Sequence, residues 1–554
     1  MRTLFGCFAV LALLLLLVGC PSDPPVQTTL KRQLAAYDGA HADTVRRIYA
    51  ARDAAPLWIR PDAPTAAMRA LLERLCAAER EGLRPSAYPL DSIATALQQA
   101  YADPPDDDSL RAARLATLDR LLTTAFAAYT DDLVNGRVPP EKVGNWYVDP
   151  PTPDVATVLR HALAEGVRPT LDSLADRNRS YVVLRQALNR YRALAAEGGW
   201  SPVPDGPVRA PRALDARPAR RRPRLAGRGD LPADAPGDSA TFNEAVGDAV
   251  QRFQQRHGLE ADGVVGPNTL EALNVPAEAR AEQIALNLER HRWLPKRLGN
   301  TFLFVNLTDF RLSAYEDGAL AFDMPVIIGE QGWRTPAFAD TMSHVVFGPY
   351  WNVPASIAIE ELLPQIREDS TFLARNNYEV VNANGVPVDT SRLSKAALAD
   401  YEVRIRQKPG PGNALGQIKF MFPNNYNIYL HDTPQEHLFA RDERALSHGC
   451  IRVAGPVRLA DYVLSDEGWP RDSIRAAMRE VENRRVPVDR PIPVFIAYLT
   501  AWAAEDGTVH FREDLYDYDP ALRQELGTLE PETNACPAIR AFFDAADVPP
   551  TDSS

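Results

Sequence analysis

A segment rich in proline and arginine, residues 198–240, constrains the fold of this chain more than any other feature. Proline fixes φ and lacks an N–H donor, so closely spaced prolines interrupt both helices and sheets. Eight arginines fall between Arg209 and Arg228, and such a run of like charge is usually solvated, with contact to an anionic lipid or polymer as the alternative. We expect a linker here, with separately folded regions on either side.

Length and composition bound the class of protein. The 554 residues correspond to roughly three or four domains at about 150 residues each. Hydrophobic residues make up 45% of the chain and charged residues 24%, which excludes a wholly disordered or fibrous protein. The net charge of −12 argues against nucleic acid as a partner.

The N-terminus has the pattern of an export signal. Residues 4–18 are apolar and are followed by Gly19, Cys20 and a proline-rich stretch, a run too short to span a membrane. The end of this run resembles a bacterial lipobox, which implies a signal peptide over residues 1–19, lipidation of Cys20 and a tether over residues 20–40. An ordinary cleaved signal is the alternative. The absence of aspartate after Cys20 resembles outer-membrane sorting, so we expect a lipid-anchored, periplasmic protein of the cell envelope.

Residues 41–197 are predicted to form a helical scaffold. One face of a long amphipathic helix carries an apolar stripe at helical spacing, formed by Leu115, Leu118, Leu122, Phe126 and Tyr129. Cys76 lies on a similar apolar stripe, and we interpret it as a small core residue, with a Cys76–Cys536 bridge as an open alternative. Because the region contains no constellation of catalytic side chains, it is interpreted as packing structure.

Residues 241–276 form a short helical unit. Val246, Val250 and Phe253 lie on one helix face, and Gly258 is placed to end that helix. An Asp-Gly turn follows, and Gly266-Pro267 then opens a second helix. These residues resemble the peptidoglycan-binding module, a small three-helix unit that docks on cell-wall glycopeptide.

Residues 300–500 are predicted to form a mainly-β domain, because short β-type runs alternate with Asp-Gly and Gly turns. Residues 355–415 interrupt this pattern with helical and loop character, so we expect a helical lid inserted into the β domain. Residues 501–554 form a C-terminal extension without a predicted function. The whole chain is therefore predicted to be a multi-domain α+β protein.

The candidate chemistry lies at His431 and in the string Ser447-His448-Gly449-Cys450-Ile451-Arg452. A cysteine that follows glycine at the start of an element presents its sulfur and its own N–H to the same small volume, which suits a nucleophile beside an oxyanion hole. A thiol also needs a neighbouring imidazole to become a thiolate at neutral pH. Spacing alone does not choose between His431 and His448. A zinc site is disfavoured because no compact ligand pair is present.

This motif resembles the active site of the YkuD-type L,D-transpeptidases, and Tyr350-Trp351-Asn352-Val353-Pro354 and the order of domains resemble the large members of that family. The resemblance implies that Cys450 is the nucleophile and that His431 is the general base and acid. It further implies a loop shaped by Ser447 and His448, with oxyanion donors at the N–H groups of Gly449 and Cys450. Substrate contacts are implied for Arg452, Tyr429 and Trp351, although each of the two aromatic residues could equally belong to a core.

The implied reaction is acyl transfer between peptidoglycan stem peptides. Cys450 attacks the third stem residue, D-alanine leaves, and an amine of a neighbouring stem resolves the thioester to give a 3→3 cross-link. No metal or organic cofactor is expected, and a membrane-tethered monomer is sufficient. A hydrolase of the same fold, trimming stems or releasing wall-attached protein, and a non-catalytic wall-binding lipoprotein are the alternatives.

Overall fold

The computed structural model describes residues 25–144, 146–147, 153–203, 244–527 and 535–548. The predicted signal peptide, Cys20 and most of the Pro/Arg-rich linker lie outside these residues, so the statements about them stay predictions. Within the described ranges, no helix is both long and apolar enough to cross a membrane.

The helices of the described residues are numbered in chain order. The scaffold region contains α1 Pro25–Ala35, α2 Ala42–Ala50, α3 Ala66–Cys76, α4 Leu90–Leu97, α5 Asp108–Asn135, α6 Val155–Glu165, α7 Val167–Ala175 and α8 Arg179–Ala196. The remaining helices are α9 Glu244–Arg256, α10 Pro267–Asn274, α11 Ala277–Trp293, α12 Ala355–Ile357, α13 Leu363–Glu368, α14 Phe372–Arg375, α15 Lys395–Ala399, α16 Pro456–Val463, α17 Arg471–Arg479, α18 Tyr518–Leu526 and α19 Ala535–Ala545.

Helix α5 is the centre of the scaffold, and the predicted apolar stripe along it is buried. The Asp107 side chain caps its N-terminus by accepting a hydrogen bond from the Leu110 N–H at 2.7 Å. Inside the helix, the buried Asp119 carboxylate accepts the backbone N–H groups of residues 57–59 at 2.8–3.2 Å. The helical character predicted for the N-terminal region is confirmed.

The interpretation of Cys76 as a core residue is confirmed, and so is the bridge to Cys536 that was left open as an alternative. Cys76 is buried, at 2% exposure, and it is disulfide-bonded to Cys536 of α19 across 460 positions. Ile539 and Phe543 of α19 are buried in the same core. The C-terminal helix therefore returns to the scaffold, a long-range contact that local periodicity could not reveal.

The predicted peptidoglycan-binding unit packs α9 against α10 around its own small core. The buried Gln254 side chain holds the turn between them, donating to Asp262 Oδ1 at 2.7 Å and accepting the Gly263 N–H at 2.9 Å. Gly263 has φ +74°, which favours glycine there. The first helix of a three-helix unit would precede α9, in residues outside the described ranges.

The described strands are β1 Trp146–Tyr147, β2 Phe302–Asn306, β3 Arg311–Glu316, β4 Ala319–Gly329, β5 Ala337–Thr341, β6 His344–Phe347, β7 Trp351–Asn352, β8 Tyr378–Asn382, β9 Val403–Gln407, β10 Ile418–Met421, β11 Leu430–His431, β12 Ala445–Ser447, β13 Ile451–Val453, β14 Arg484–Pro487, β15 Pro493–Ala497, β16 Ala501–Ala503 and β17 Val509–Phe511. In the described part of the chain, twelve of them form one sheet in the order β1-β5-β15-β2-β3-β4-β13-β11-β10-β6-β14, with β12 beside β4. The sheet confirms the predicted mainly-β domain.

The inserted segment between β7 and β10 is predicted to be helical, but it also contains strands. Helices α12–α15 pack on a three-stranded sheet of order β7-β9-β8, with a separate apolar core. Its strands are short, and turns and short helices separate them, so the sequence pattern there is dominated by loop and helix signals.

Helix α11 joins the regions of the molecule. Most of its residues are buried, including charged ones. Glu289 pairs with Arg292 at 2.9 Å and accepts the Val138 N–H of the scaffold at 2.8 Å. On another side, Arg290 pairs with Asp519 of α18 at 2.5 Å. The scaffold and the catalytic sheet are thus held against one buried, charge-paired helix.

Candidate active site

The register of β11 and β13 decides which side chains meet. The two strands are parallel and pair Leu430 with Ile451 and His431 with Arg452. Leu430 and Ile451 are fully buried in the sheet core. Because side chains alternate between the faces of a strand, His431 and Arg452 lie on the opposite face, as do Tyr429 and Cys450, the residues before the two core positions. The sequence motif therefore folds into one polar patch.

Cys450 stands at the turn into β13. Gly449 before it has φ +108°, a conformation that favours glycine. The half-buried Cys450 sulfur lies 3.6 Å from the Asn427 carbonyl oxygen and is hydrogen-bonded to the Tyr429 hydroxyl. Burial raises the pKa of the Cys450 thiol, while its hydrogen bonds and the nearby cations oppose that rise. The resting sulfur is therefore favoured as a thiol.

His431 is buried beside this sulfur-bearing turn, and its ring lies 5.7 Å from the Tyr429 ring. Its Nδ1 lies 2.6 Å from the Asp432 carbonyl oxygen, which can only accept a hydrogen bond. Nδ1 therefore carries the proton, and Nε2 has a free lone pair. Burial lowers the pKa of His431 to about 3, with the nearby Arg452 acting in the same direction, so the imidazole is neutral at physiological pH.

Ser447 shapes the loop around Cys450. Its hydroxyl donates to the Cys450 carbonyl oxygen at 2.6 Å and accepts the Gly449 N–H at 3.2 Å. The Gly449 carbonyl is in turn held by the Thr335 hydroxyl at 2.7 Å. The Gly449 N–H assigned by resemblance to the oxyanion hole is thus engaged with Ser447, because the loop closes on itself. Cys450 supplies the remaining candidate N–H.

His448 turns towards the inserted segment. Its Nε2 lies 2.7 Å from Glu361 Oε1, and its ring packs 5.3 Å from that of Trp333. The ambiguity that spacing left between the two histidines is thereby narrowed, since His448 is engaged with a carboxylate and His431 shares the face of Cys450. The same contact ties the insertion to the catalytic loop.

Of the remaining predicted site residues, Arg452 lies near Cys450 and Trp351 lies in the insertion. Arg452 shares the face of Cys450 and donates to Gln435 Oε1 at 2.8 Å, so its described contact supports the loop. Trp351 packs against the core of the insertion, 6.3 Å from the Tyr378 ring. The strand that carries it belongs to the smaller sheet, and its substrate role stays a prediction.

Two residues were missed by the sequence analysis. Lys419 of β10 pairs in register with His431 and reaches the same face, and Glu361 contacts His448 from the insertion. The alternation Ile418-Lys419-Phe420, with both apolar neighbours fully buried, was a usable signal for Lys419. No local signal identifies Glu361. Among the described residues, no group of three or more His, Cys, Asp or Glu side chains is arranged to hold a metal ion.

Comparison with protein families agrees with this geometry. Residues 300–494 match the L,D-transpeptidase catalytic domain of the YkuD type, and they constitute such a domain here. Residues 43–188 match the scaffold domain, and residues 224–273 match the family described as "Putative peptidoglycan binding domain". The chain therefore combines an L,D-transpeptidase catalytic domain with a scaffold and a peptidoglycan-binding domain.

A curated relative from Haemophilus influenzae, named "Putative L,D-transpeptidase", is 35% identical over 239 residues, 43% of this chain. The match spans about half, 48%, of that relative. Among solved structures, the Ldtfm–avibactam carbamoyl enzyme is 14% identical, with 36% of this chain and 50% of that one covered and a TM-score of 0.15. An L,D-transpeptidase from Xylanimonas cellulosilytica is 15% identical, with 53% and 99% covered and a TM-score of 0.17.

Proposed function

We propose that this chain is a cell-wall L,D-transpeptidase that forms 3→3 cross-links between peptidoglycan stem peptides through a thioester on Cys450. One observation carries the proposal. A thiol at Cys450 and a neutral imidazole at His431 share one face of the sheet of an L,D-transpeptidase catalytic domain. Thiol, base and an adjacent amide are what cysteine acyl transfer requires.

In the first half-reaction, His431 Nε2 takes the Cys450 proton as the sulfur attacks the carbonyl carbon of the third stem residue. The Cys450 N–H stabilises the oxyanion of the tetrahedral intermediate. The carbon–nitrogen bond to the terminal D-alanine then breaks, and the proton on His431 passes to the leaving amine. The products are free D-alanine and a thioester on Cys450.

In the second half-reaction, the side-chain amine of a neighbouring stem attacks the thioester carbon. His431 Nε2 takes a proton from this amine, the carbon–sulfur bond breaks, and the sulfur is reprotonated. The result is an amide between the third residues of two stems. The Nδ1 of His431 stays protonated because it donates to the Asp432 carbonyl oxygen, so Nε2 is the proton acceptor in both half-reactions.

In this proposal, the other regions of the chain hold the enzyme at the cell wall and cover its bound substrate. The peptidoglycan-binding domain would hold the enzyme on the wall, and lipidation of Cys20 would anchor it to the cell envelope, facing the periplasm from the outer membrane. The insertion, which touches the catalytic loop through Glu361 and His448, would cover the bound stem and exclude water that could compete with the acceptor amine.

The test uses the full chain with disaccharide-tetrapeptide stems, analysed by mass spectrometry of protein and products, beside a Cys450→Ser variant. We expect an acyl adduct on Cys450, released D-alanine and a dimeric muropeptide, with none of these from the variant. Tripeptide without dimer would overturn transpeptidation in favour of hydrolysis. No adduct from stems or from a carbapenem would overturn the enzymatic proposal altogether.

A further inference from the structure

Lys419 occupies a position that the proposed mechanism does not use. It lies in β10 between two fully buried residues and pairs in register with His431. Alternation along the strand therefore directs its half-buried side chain to the face that carries Cys450. Placing an ammonium group there costs desolvation free energy. The fold of the strand alone does not require a charged side chain at this position.

The contacts of Lys419 lead to the sulfur. Its Nζ lies 5.2 Å from the centre of the Tyr429 ring, a cation–π contact, and the Tyr429 hydroxyl is hydrogen-bonded to Cys450. In the described ranges, no carboxylate forms an ion pair with Lys419. A half-buried cation without a carboxylate partner attracts any negative charge that develops nearby.

The other candidates for a counter-charge are less suited. His431 is neutral at physiological pH, because burial lowers its pKa to about 3, so a stable imidazolium–thiolate pair is disfavoured. Arg452 faces the sulfur but donates to Gln435 at 2.8 Å. A thiolate is far more reactive than a thiol, and neighbouring cations are what stabilise it.

We propose that the Lys419 ammonium is the counter-charge that stabilises the thiolate of Cys450, and that it is a positioning residue for thioester formation. The proposal rests on the proposed function of Cys450 as the nucleophile. The charged and titratable groups that face this site are Lys419 from β10, Tyr429 and His431 from β11, and Arg452 from β13, with His344 of β6 and Arg485 of β14 beyond Lys419.

The electrostatics of the pair are reciprocal. Burial raises the pKa of the Cys450 thiol, and Lys419 lowers it. Burial lowers the pKa of Lys419, and the Cys450 charge raises it. Each charge thus favours the other, as expected for two groups of opposite charge in a poorly solvated site.

The experiment measures how the alkylation rate of Cys450 by iodoacetamide depends on pH. The thiolate sulfur forms a bond to the methylene carbon and iodide leaves, so the rate follows the thiolate fraction. The full chain is used, and the Cys450 peptide is quantified by mass spectrometry, which separates it from other cysteines. Lys419→Met and Lys419→Gln remove the charge, Lys419→Arg keeps it, and Lys395→Met on the exposed face of α15 is the matched control.

We expect both neutral variants to raise the pH midpoint by about one unit, with roughly tenfold slower alkylation at pH 7. Lys419→Arg and Lys395→Met should keep the wild-type midpoint. An unchanged midpoint in the neutral variants, or an equal shift in Lys419→Arg, would overturn the proposal, the second because it would indicate packing. Measuring two neutral variants keeps the test decisive if one does not fold.

Alkylation needs no stem peptide, so this result is independent of transpeptidation. A chain that titrates as expected but makes no cross-link would overturn the proposed function and leave intact only the stabilisation of the Cys450 thiolate by Lys419. A chain that makes cross-links with an unshifted Lys419→Met midpoint would overturn only the inference about Lys419.

Discussion

Helix α11 and the sheet face that carries Cys450 both bury ionisable side chains, but they do so with opposite arrangements. Helix α11 contributes two buried ion pairs, Glu289 with Arg292 and Arg290 with Asp519, at 2.9 and 2.5 Å. On the face of Cys450, His431 and Lys419 are buried or half-buried without a carboxylate among their described contacts. The charges of the two ion pairs compensate each other, whereas Lys419 has no carboxylate partner in the described ranges and His431 is uncharged at physiological pH.

The two arrangements suit different roles, since one stabilises the fold and the other serves a reaction. A buried ion pair holds two surfaces in one register, and removing one partner leaves an uncompensated charge. Groups left without counter-charges instead have shifted pKa values and can respond to charge that develops during a reaction. We therefore expect substitutions along α11 to change stability and substitutions on the sheet face to change activity.

The largest effect is expected for His431→Asn. Asparagine retains a polar side chain but cannot take a proton, so the cross-linking rate should fall by about 10²–10⁴-fold, while the free energy of unfolding stays near the wild-type value. The measurement is kcat for dimer formation. His448→Asn is the matched control, and its cross-linking rate should fall far less. A larger fall in His448→Asn than in His431→Asn would show that His448 is the base and would contradict the prediction.

The second prediction concerns Glu289→Ala on α11. It leaves Arg292 buried without its partner and removes the acceptor of the Val138 N–H, so the free energy of unfolding should fall by about 3–5 kcal/mol. Urea unfolding measures it. Glu282→Ala on the same helix breaks a partly exposed pair with Arg523 and should cost at most about 1 kcal/mol. Equal losses would show that the buried pair is not special.

The contrast also marks what the sequence could predict. Cys450 is predicted from a local motif and His431 from the family resemblance, and the register of β11 and β13 places both residues on one face of the sheet. Lys419 follows the alternation of side chains along β10 and was within reach. Glu361, 87 positions before His448, was not, because packing between distant segments leaves no periodic pattern in the sequence. For the same reason the Cys76–Cys536 bridge, which spans 460 positions, could be named only as an open alternative.

The third prediction tests the pH dependence of the α11 region. Burial lowers the pKa of His291 to about 3, so the unfolded chain, with a histidine pKa near ~6.5, binds the proton more readily. Stability is therefore present above ~6.5 and is lost as pH falls towards 3. Between pH 7 and 5 the loss from His291 should be about 2 kcal/mol.

His291→Phe should reduce the loss of unfolding free energy on acidification by that amount, measured by urea titration at each pH. Phenylalanine fits the site chemically, because neither ring nitrogen of His291 has a hydrogen-bond partner among the described residues. His161→Phe, on the exposed face of α6, is the control and should leave the pH slope as it is. An unchanged slope in His291→Phe would contradict the prediction.

The smallest effect is expected for Glu361→Gln. The Glu361–His448 pair is partly exposed, with side-chain exposures of 47% and 35%, so the global free energy of unfolding should change by less than ~1 kcal/mol. Local opening should increase, because the contact ties the insertion to the catalytic loop. Faster amide exchange across residues 355–415 measures this, with the neighbouring Glu360→Gln as the control. Equal exchange in both variants would show that the pair does not hold the insertion.

The disulfide between Cys76 and Cys536 determines how the chain behaves when it is cut by a protease. Because the two residues are 460 positions apart, the bond closes most of the polypeptide into a ring that includes the Pro/Arg-rich linker and the catalytic loop. One proteolytic cut within that ring opens it without releasing a fragment. The nicked, oxidised molecule keeps its full mass on a denaturing gel, and only reduction separates the two pieces.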